Sequence, residues 1–193
     1  MDAPVGRRLR RSTLAATAIA ALAFLAVMAL SGRMRESQQY VKFEPAGLMR
    51  EPPEDIDRIE LVASPRRRVF TRTAGRWTLA PAPGDMSMAP HPTSSDLSAH
   101  LEMSLRFMHA TAPVRIMTRS EYADEPLGDY GLDPPGYAVT LHQGARTVIS
   151  ARFGAPTPQT VLQYVQVDGR DELYLLPAFV GREWELVAAG TPP

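Results

Sequence analysis

The chain has 193 residues, with 21 basic and 21 acidic side chains, 18 prolines, 13 glycines and no cysteine. Balanced charge gives no global attraction to nucleic acid, and the missing cysteines exclude disulfides, thiolate metal ligands and cysteine nucleophiles together. The many turn-forming residues favour short strands over long helices.

The first element is the uncharged apolar run Leu14–Leu30, preceded by Arg7, Arg8, Arg10 and Arg11 and followed by Arg33 and Arg35. Its length reaches the lower limit for a helix crossing a hydrocarbon core of about 30 Å. Basic flanks stay on the cytoplasmic side. Residues 1–12 therefore read as a cytoplasmic basic segment and 13–31 as a single transmembrane anchor. Everything beyond reads as periplasmic, placing the chain in a bacterial inner membrane. A cleaved signal peptide ending near Val27-Met28-Ala29 is the rival reading.

Residues 32–55 read as a tether, broken by Pro45, Gly47, Pro52 and Pro53, with Tyr40, Phe43, Leu48 and Met49 available to dock on the domain. The exported domain is expected over 56–187, with a tail at 188–193. Ile59, Leu61 and Ala63 alternate with Arg58 and Glu60, the period of a half-buried strand. Pro65 and arginines 66–68 are expected to turn the chain into a return strand at Val69–Arg72. Ala74-Gly75 then turns it again into Arg76–Leu79, which completes a meander.

After a proline-rich loop comes the only evident soluble helix. Thr93 or Ser94 can cap it, with Asp96 at capping-box spacing from Thr93. Leu97, Leu101, Leu105 and Met108 fall on one face, and Pro113 stops the helix before a short strand at Val114–Met117. A long acidic loop, 120–136, leads to strands at Tyr137–Leu141 and Arg146–Phe153 and a hairpin over Val161–Leu176 that turns at Asp168-Gly169. Phe179–Leu186 closes the chain, with Trp184 packing. The predicted fold class is α+β, a β-rich domain of antiparallel hairpins and meanders packed on one amphipathic helix. Its two strand-rich halves suggest a degenerate internal repeat in which the second half lacks a clear helix.

Several segments taken together resemble one family: Phe43–Leu48, Ile59-Glu60-Leu61, Gly75-Arg76-Trp77, Tyr130-Gly131-Leu132-Asp133-Pro134-Pro135, Phe153-Gly154, Gln163-Tyr164-Val165 and Leu173–Pro177. In that order they are similar to the domain of unknown function 4340 (DUF4340) family. The resemblance implies an N-terminal membrane anchor, repeated β-rich units and association with ABC-type transport systems. It implies no catalytic residues.

Candidate chemistry is sparse. His100 and His109, nine apart on the helix, lie about 13–14 Å apart along its axis and cannot share one metal alone. His142 falls on the polar face of its strand, and surface or satisfied histidines explain the set better than a metal site. Met86, Met88 and His91 have the thioether and imidazole character of a Cu(I) site, which gives a periplasmic copper-handling protein as one alternative. Carboxylates at Glu51, Glu54, Asp55 and Asp57, and at Glu121, Asp124, Glu125, Asp129 and Asp133, give an envelope hydrolase as another. No G-x-S-x-G or S-x-x-K motif supports a serine nucleophile. Arg66-Arg67-Arg68 reads as a solvated hairpin rim, and Tyr130–Pro135 as a rigid turn.

With no catalytic constellation and no cofactor expected, the sequence points to a non-catalytic accessory or scaffolding protein. Its expected partners are the inner membrane and an integral-membrane protein, with an ABC-transporter permease as the candidate. Edges of extended strands are the expected binding feature.

Overall fold

The computed structural model describes residues 18–28, 46–81 and 89–190. The chain divides into two compact units, Met1–Glu44 and Pro45–Pro193. In the first, residues 18–28 form a helix, α1, whose Ile19, Leu22, Phe24, Leu25, Val27 and Met28 are all exposed. Among the described residues no helix is long and apolar enough to cross a membrane. The ends of the Leu14–Leu30 run, the flanking arginines, and Tyr40 and Phe43 lie outside the described residues.

Among the described residues the second unit is a nine-stranded antiparallel sheet with two α-helices and three short 3₁₀ turns. The strands are β1 (Arg58–Ala63), β2 (Arg66–Thr73), β3 (Arg76–Ala80), β4 (His91–Pro92), β5 (Arg115–Met117), β6 (Tyr137–Gln143), β7 (Arg146–Pro156), β8 (Leu162–Val167) and β9 (Leu173–Pro177). The helices are α2 (Ser95–Ala110) and α3 (Ala178–Ala189). The sheet order is β4-β3-β2-β1-β6-β7-β8-β9-β5. The α+β expectation holds at this level.

That order resolves into two units of one topology. β1 to β4 run outward from the middle and lead into α2, and β6 to β9 run outward the other way and lead into α3. The seam between them is the β1–β6 ladder, from Arg58 opposite His142 to Val62 opposite Ala138. α3 supplies the helix that the sequence pattern left missing. It replaces the expected closing segment Phe179–Leu186 and the expected single soluble helix, and it takes in Ala188 and Ala189 of the expected tail. Val180, Trp184 and Val187 lie at i, i+4 and i+7 and are fully buried, the spacing of one helical face.

Both helices and one face of the sheet share a core. Ile59, Leu61, Phe70, Trp77, Val139, Leu141, Phe153 and Val165 from the strands pack with Leu101, Leu105, Met108, Val180 and Trp184. Each such side chain contributes about 1.5–3 kcal/mol on burial. Ser94 is the N-cap of α2 and accepts from the Leu97 amide at 3.2 Å. The Thr93–Asp96 capping box does not form, because Thr93 Oγ1 instead donates to the Trp77 carbonyl and bonds Ser98.

At the domain's start the docking expected of Leu48 and Met49 occurs, while the expected turn at arginines 66–68 does not. Leu48 and Met49 are buried in the core, and the Gly47 and Met49 amides bond the carbonyls of His109 and Met108 at the end of α2. A Cβ on Gly47 would lie 2.1 Å from the Met108 oxygen, so only glycine allows this approach. Residues 46–55 thus pack as part of the domain rather than as tether. Arginines 66–68 are strand and not turn, because Ser64-Pro65 alone closes the hairpin and Ala63 pairs with Arg66. Arg68, on the helix-bearing face, donates to the carbonyls of Val187 and Gly190 and so satisfies the C-terminal end of α3.

Candidate interaction surface

The strand period places Arg58, Glu60 and Val62 opposite to the buried Ile59 and Leu61, on the face away from the helices. Ladder pairing extends this face sideways in three rows. Thr78, Thr71, Arg58, His142 and Thr147 lie side by side, as do Ala80, Val69, Glu60, Thr140 and Ser150. The third row is Arg67, Val62, Ala138, Arg152, Gln166 and Leu173.

One end of this face is covered by the chain itself. Tyr122, Tyr130 and Leu132 of the 118–135 loop pack on Leu173, with Met117, Leu127 and Tyr164 at the margin. Tyr130 stands edge-on to Tyr164, with ring centroids 4.9 Å apart. Gly131 (φ 65°) turns the segment, and a Cβ there would lie 2.6 Å from the Ala155 nitrogen. The Tyr130–Pro135 motif is therefore a structural turn. Across β2, β1, β6 and β7, no element among the described residues covers the sheet, and Val62 is 41% exposed.

Charge on the bare part is organised around Glu60. Arg67 donates to Glu60 Oε2 at 2.5 Å, Arg58 lies 3.8 Å from Oε1, and His142 Nε2 lies 3.4 Å from Oε1. Burial alone would raise the Glu60 carboxyl, but the Arg67 hydrogen bond and charge, with His142 and Arg58 adding, bring it below the usual carboxylate range. Burial, then Arg58, push His142 below its ordinary value against the pull of Glu60 and Asp57. Further along, Arg152 Nε lies 3.3 Å from Asp168 Oδ1, and Ser150 donates to Asp168 Oδ2 at 2.7 Å.

The two closest nitrogen–carboxylate approaches to His142 Nε2 and Arg152 Nε are off line for hydrogen bonding. Both atoms, with Arg58 Nε and Gln166 Oε1, are buried without a hydrogen-bond partner. His142 is on the polar face as expected, yet only 6% exposed, walled in by its neighbours rather than at the surface. Sequence reasoning did not assemble this patch, because its members come from five strands and meet only through register. The period-two pattern would have supplied each strand's contribution.

The other candidates scatter. His100 bonds Glu183 at 2.8 Å across the helix pair, and His91 sits on β4. Met86 and Met88 lie outside the described residues. Glu51 pairs with Arg146 at 3.0 Å, and Asp57 accepts from the Gly144 amide at 2.7 Å. Glu121 closes a capping box on Thr118 and meets Arg115 at 2.7 Å; the Thr118 bonds, then Arg115, lower its carboxyl. Glu125 accepts from the Tyr130 hydroxyl, which raises that phenol to about 12. Among the described residues no three His, Asp or Glu side chains are grouped to hold a metal. Edge pairing is also limited: β4 has two residues, one of them Pro92, and β5 has three.

The chain matches no protein-family model, and no curated protein or solved structure shows significant similarity to it.

Proposed function

We propose that this protein is a non-catalytic, membrane-anchored accessory or scaffolding protein of the bacterial envelope. Its exported domain binds an integral-membrane protein, and an ABC-transporter permease is the candidate. The observation that carries the reading is the bare sheet face. An antiparallel sheet can leave one face to water, and on this one Arg58 Nε, His142 Nε2, Arg152 Nε and Gln166 Oε1 are buried without a hydrogen-bond partner. Such groups are costly unless something completes their hydrogen bonding.

The anchor part of the proposal is supported by the apolar, exposed side chains of α1 and by the arginines before the run. Tethering raises the effective concentration at a membrane partner toward the millimolar range, so a weak contact suffices. The ABC-transporter candidate comes from the resemblance to DUF4340 alone, which no family model supports, whereas the anchor and binding-module parts of the proposal rest on the chain's own residues. The hydrolase alternative is weakened by Glu51, Glu121 and Glu125 being engaged in bonds that shape the fold.

Cross-linking in intact membranes tests the reading. The full chain should trap one integral-membrane protein, and deleting residues 1–31 should greatly weaken that capture. Single substitutions of Glu121, Asp124, Asp129 or Asp133 should leave the cellular phenotype in place. A null phenotype from one of those carboxylates, with the fold intact, would instead indicate an enzyme.

A further inference from the structure

We propose that the bare face over β2, β1, β6 and β7 is the docking surface for an acidic segment of the partner protein. This rests on the binding-module reading and names the chemistry of what is bound.

Charge complementarity singles out the occupant. Residues 46–81 and 89–190 carry 14 arginines and 17 carboxylates, a net charge of −3. The bare face runs against that trend, with Arg58, Arg67 and Arg152 against Glu60 and Asp168. Its arginine side chains are 40%, 50% and 35% exposed, Glu60 is 19% exposed and Asp168, at the β7 rim, is 52% exposed. Three guanidinium groups against two carboxylates leave the face with one excess positive charge, and around Arg58, Arg67 and Glu60 solvent meets the arginines more than the carboxylate.

The shape agrees. Over β2, β1, β6 and β7, Arg67 and Arg152 stand on either side of Val62 and Ala138 in one row, which continues beyond Arg152 to Gln166 and Leu173. With strands about 4.8 Å apart, the two guanidinium stems rise roughly 14 Å apart over a small, apolar floor. That width accepts one helix or extended segment, with carboxylates facing each rim and an apolar side chain against Val62. Arginine is suited to pairing with carboxylates through two parallel bonds, and the side chains of Arg67 and Arg152 keep 50% and 35% of their surface exposed for it.

An anionic bilayer is the other source of negative charge. It is disfavoured because a domain of net negative charge is repelled by an extended anionic surface, while a narrow acidic segment senses only the local patch.

The test uses the full chain in membranes with a photo-cross-linking amino acid placed at Val62, and separately at Met103 on α2, which is 40% exposed. The Val62 probe should label a partner peptide rich in Asp and Glu, identified by mass spectrometry. Arg67→Glu with Arg152→Glu should cut that yield by about tenfold or more, the effect of about 1.4 kcal/mol. The control pair Arg106→Glu with Arg182→Glu makes the same change in net charge at exposed helix positions and should leave the yield unchanged. Protease resistance equal to that of the parent chain establishes that each variant folds. Labelling from Met103 but not from Val62 overturns this inference and spares the binding-module reading. Labelling from neither overturns both. Labelling of phosphatidylglycerol, or of a peptide without acidic residues, from Val62 also overturns it.

Discussion

Replacing Gly181 with alanine sets two effects against each other. Gly181 lies inside α3, where alanine is favoured over glycine by about 1 kcal/mol. The added Cβ, however, would lie 1.6 Å from Gln163 Oε1 and 2.8 Å from both Gln163 Cδ and the Tyr137 hydroxyl. Gln163 is buried and holds its place by donating to the Gly154 carbonyl at 2.9 Å, while Tyr137 donates to the Gly181 carbonyl at 2.8 Å. Relieving the clash moves Gln163 away and disturbs both bonds. Leaving a buried polar group unsatisfied costs about 1–3 kcal/mol, so two such losses outweigh the helical gain and leave about 1–5 kcal/mol of destabilisation. Urea unfolding of residues 40–193, followed by circular dichroism, measures it. In a Gln163→Ala background the same substitution should lose most of its penalty. Unchanged or raised stability for Gly181→Ala alone would refute the argument, since helix propensity would then be the larger effect.

Leu101→Ala should cost about 2–5 kcal/mol, because Leu101 is fully buried between the helices and the sheet. His100→Ala, which loses a half-exposed contact with Glu183, should cost far less, and equal losses in urea would mean the helix face is wrongly assigned. His142 gives a pH signature. Its folded value is depressed below the ordinary 6.5, so the unfolded chain takes up its proton first as pH falls. The stability it contributes is full above 6.5 and is lost as pH falls through the lower folded value. Glu60, also depressed, adds a second loss below 4.5. His142→Gln should flatten the fall in urea midpoint between about pH 7 and about pH 5, and an unchanged slope there would exclude this histidine as its source.

Local periodicity was enough to read the first meander and the buried stripe of α2, because alternation in Ile59–Ala63 and the four-residue spacing of Leu97, Leu101 and Leu105 each report one buried face. It was not enough for α3. There Pro177 immediately precedes the helix and the strand-forming run Leu173–Leu176 leads directly into it, so the apolar spacing of Val180, Trp184 and Val187 was obscured. The three arginines at 66–68 misled for a different reason. Composition suggests a solvated turn, but in the sheet Arg67 meets Glu60 and Arg68 meets the end of α3, partners that lie 7 and more than 100 residues away in sequence. The interaction face was legible strand by strand but not as a patch, since cross-strand register is what sets Arg67 and Arg152 in one row.

The β1–β6 seam bears on how the chain reaches this arrangement. Within each half, β1 with β2, β2 with β3, β6 with β7, β7 with β8 and β8 with β9 join strands adjacent in sequence. Such hairpins close in about 1–10 μs. The seam instead brings Arg58 to His142 across more than 80 intervening residues, and the entropy of closing that loop is spent before any of its bonds are gained. Each half can therefore assemble from local contacts, and the ordering of the seam decides when the two become one cooperative sheet. The bare face straddles that seam, so its rows exist only in the fully joined molecule: a half-folded chain offers no complete surface to a partner.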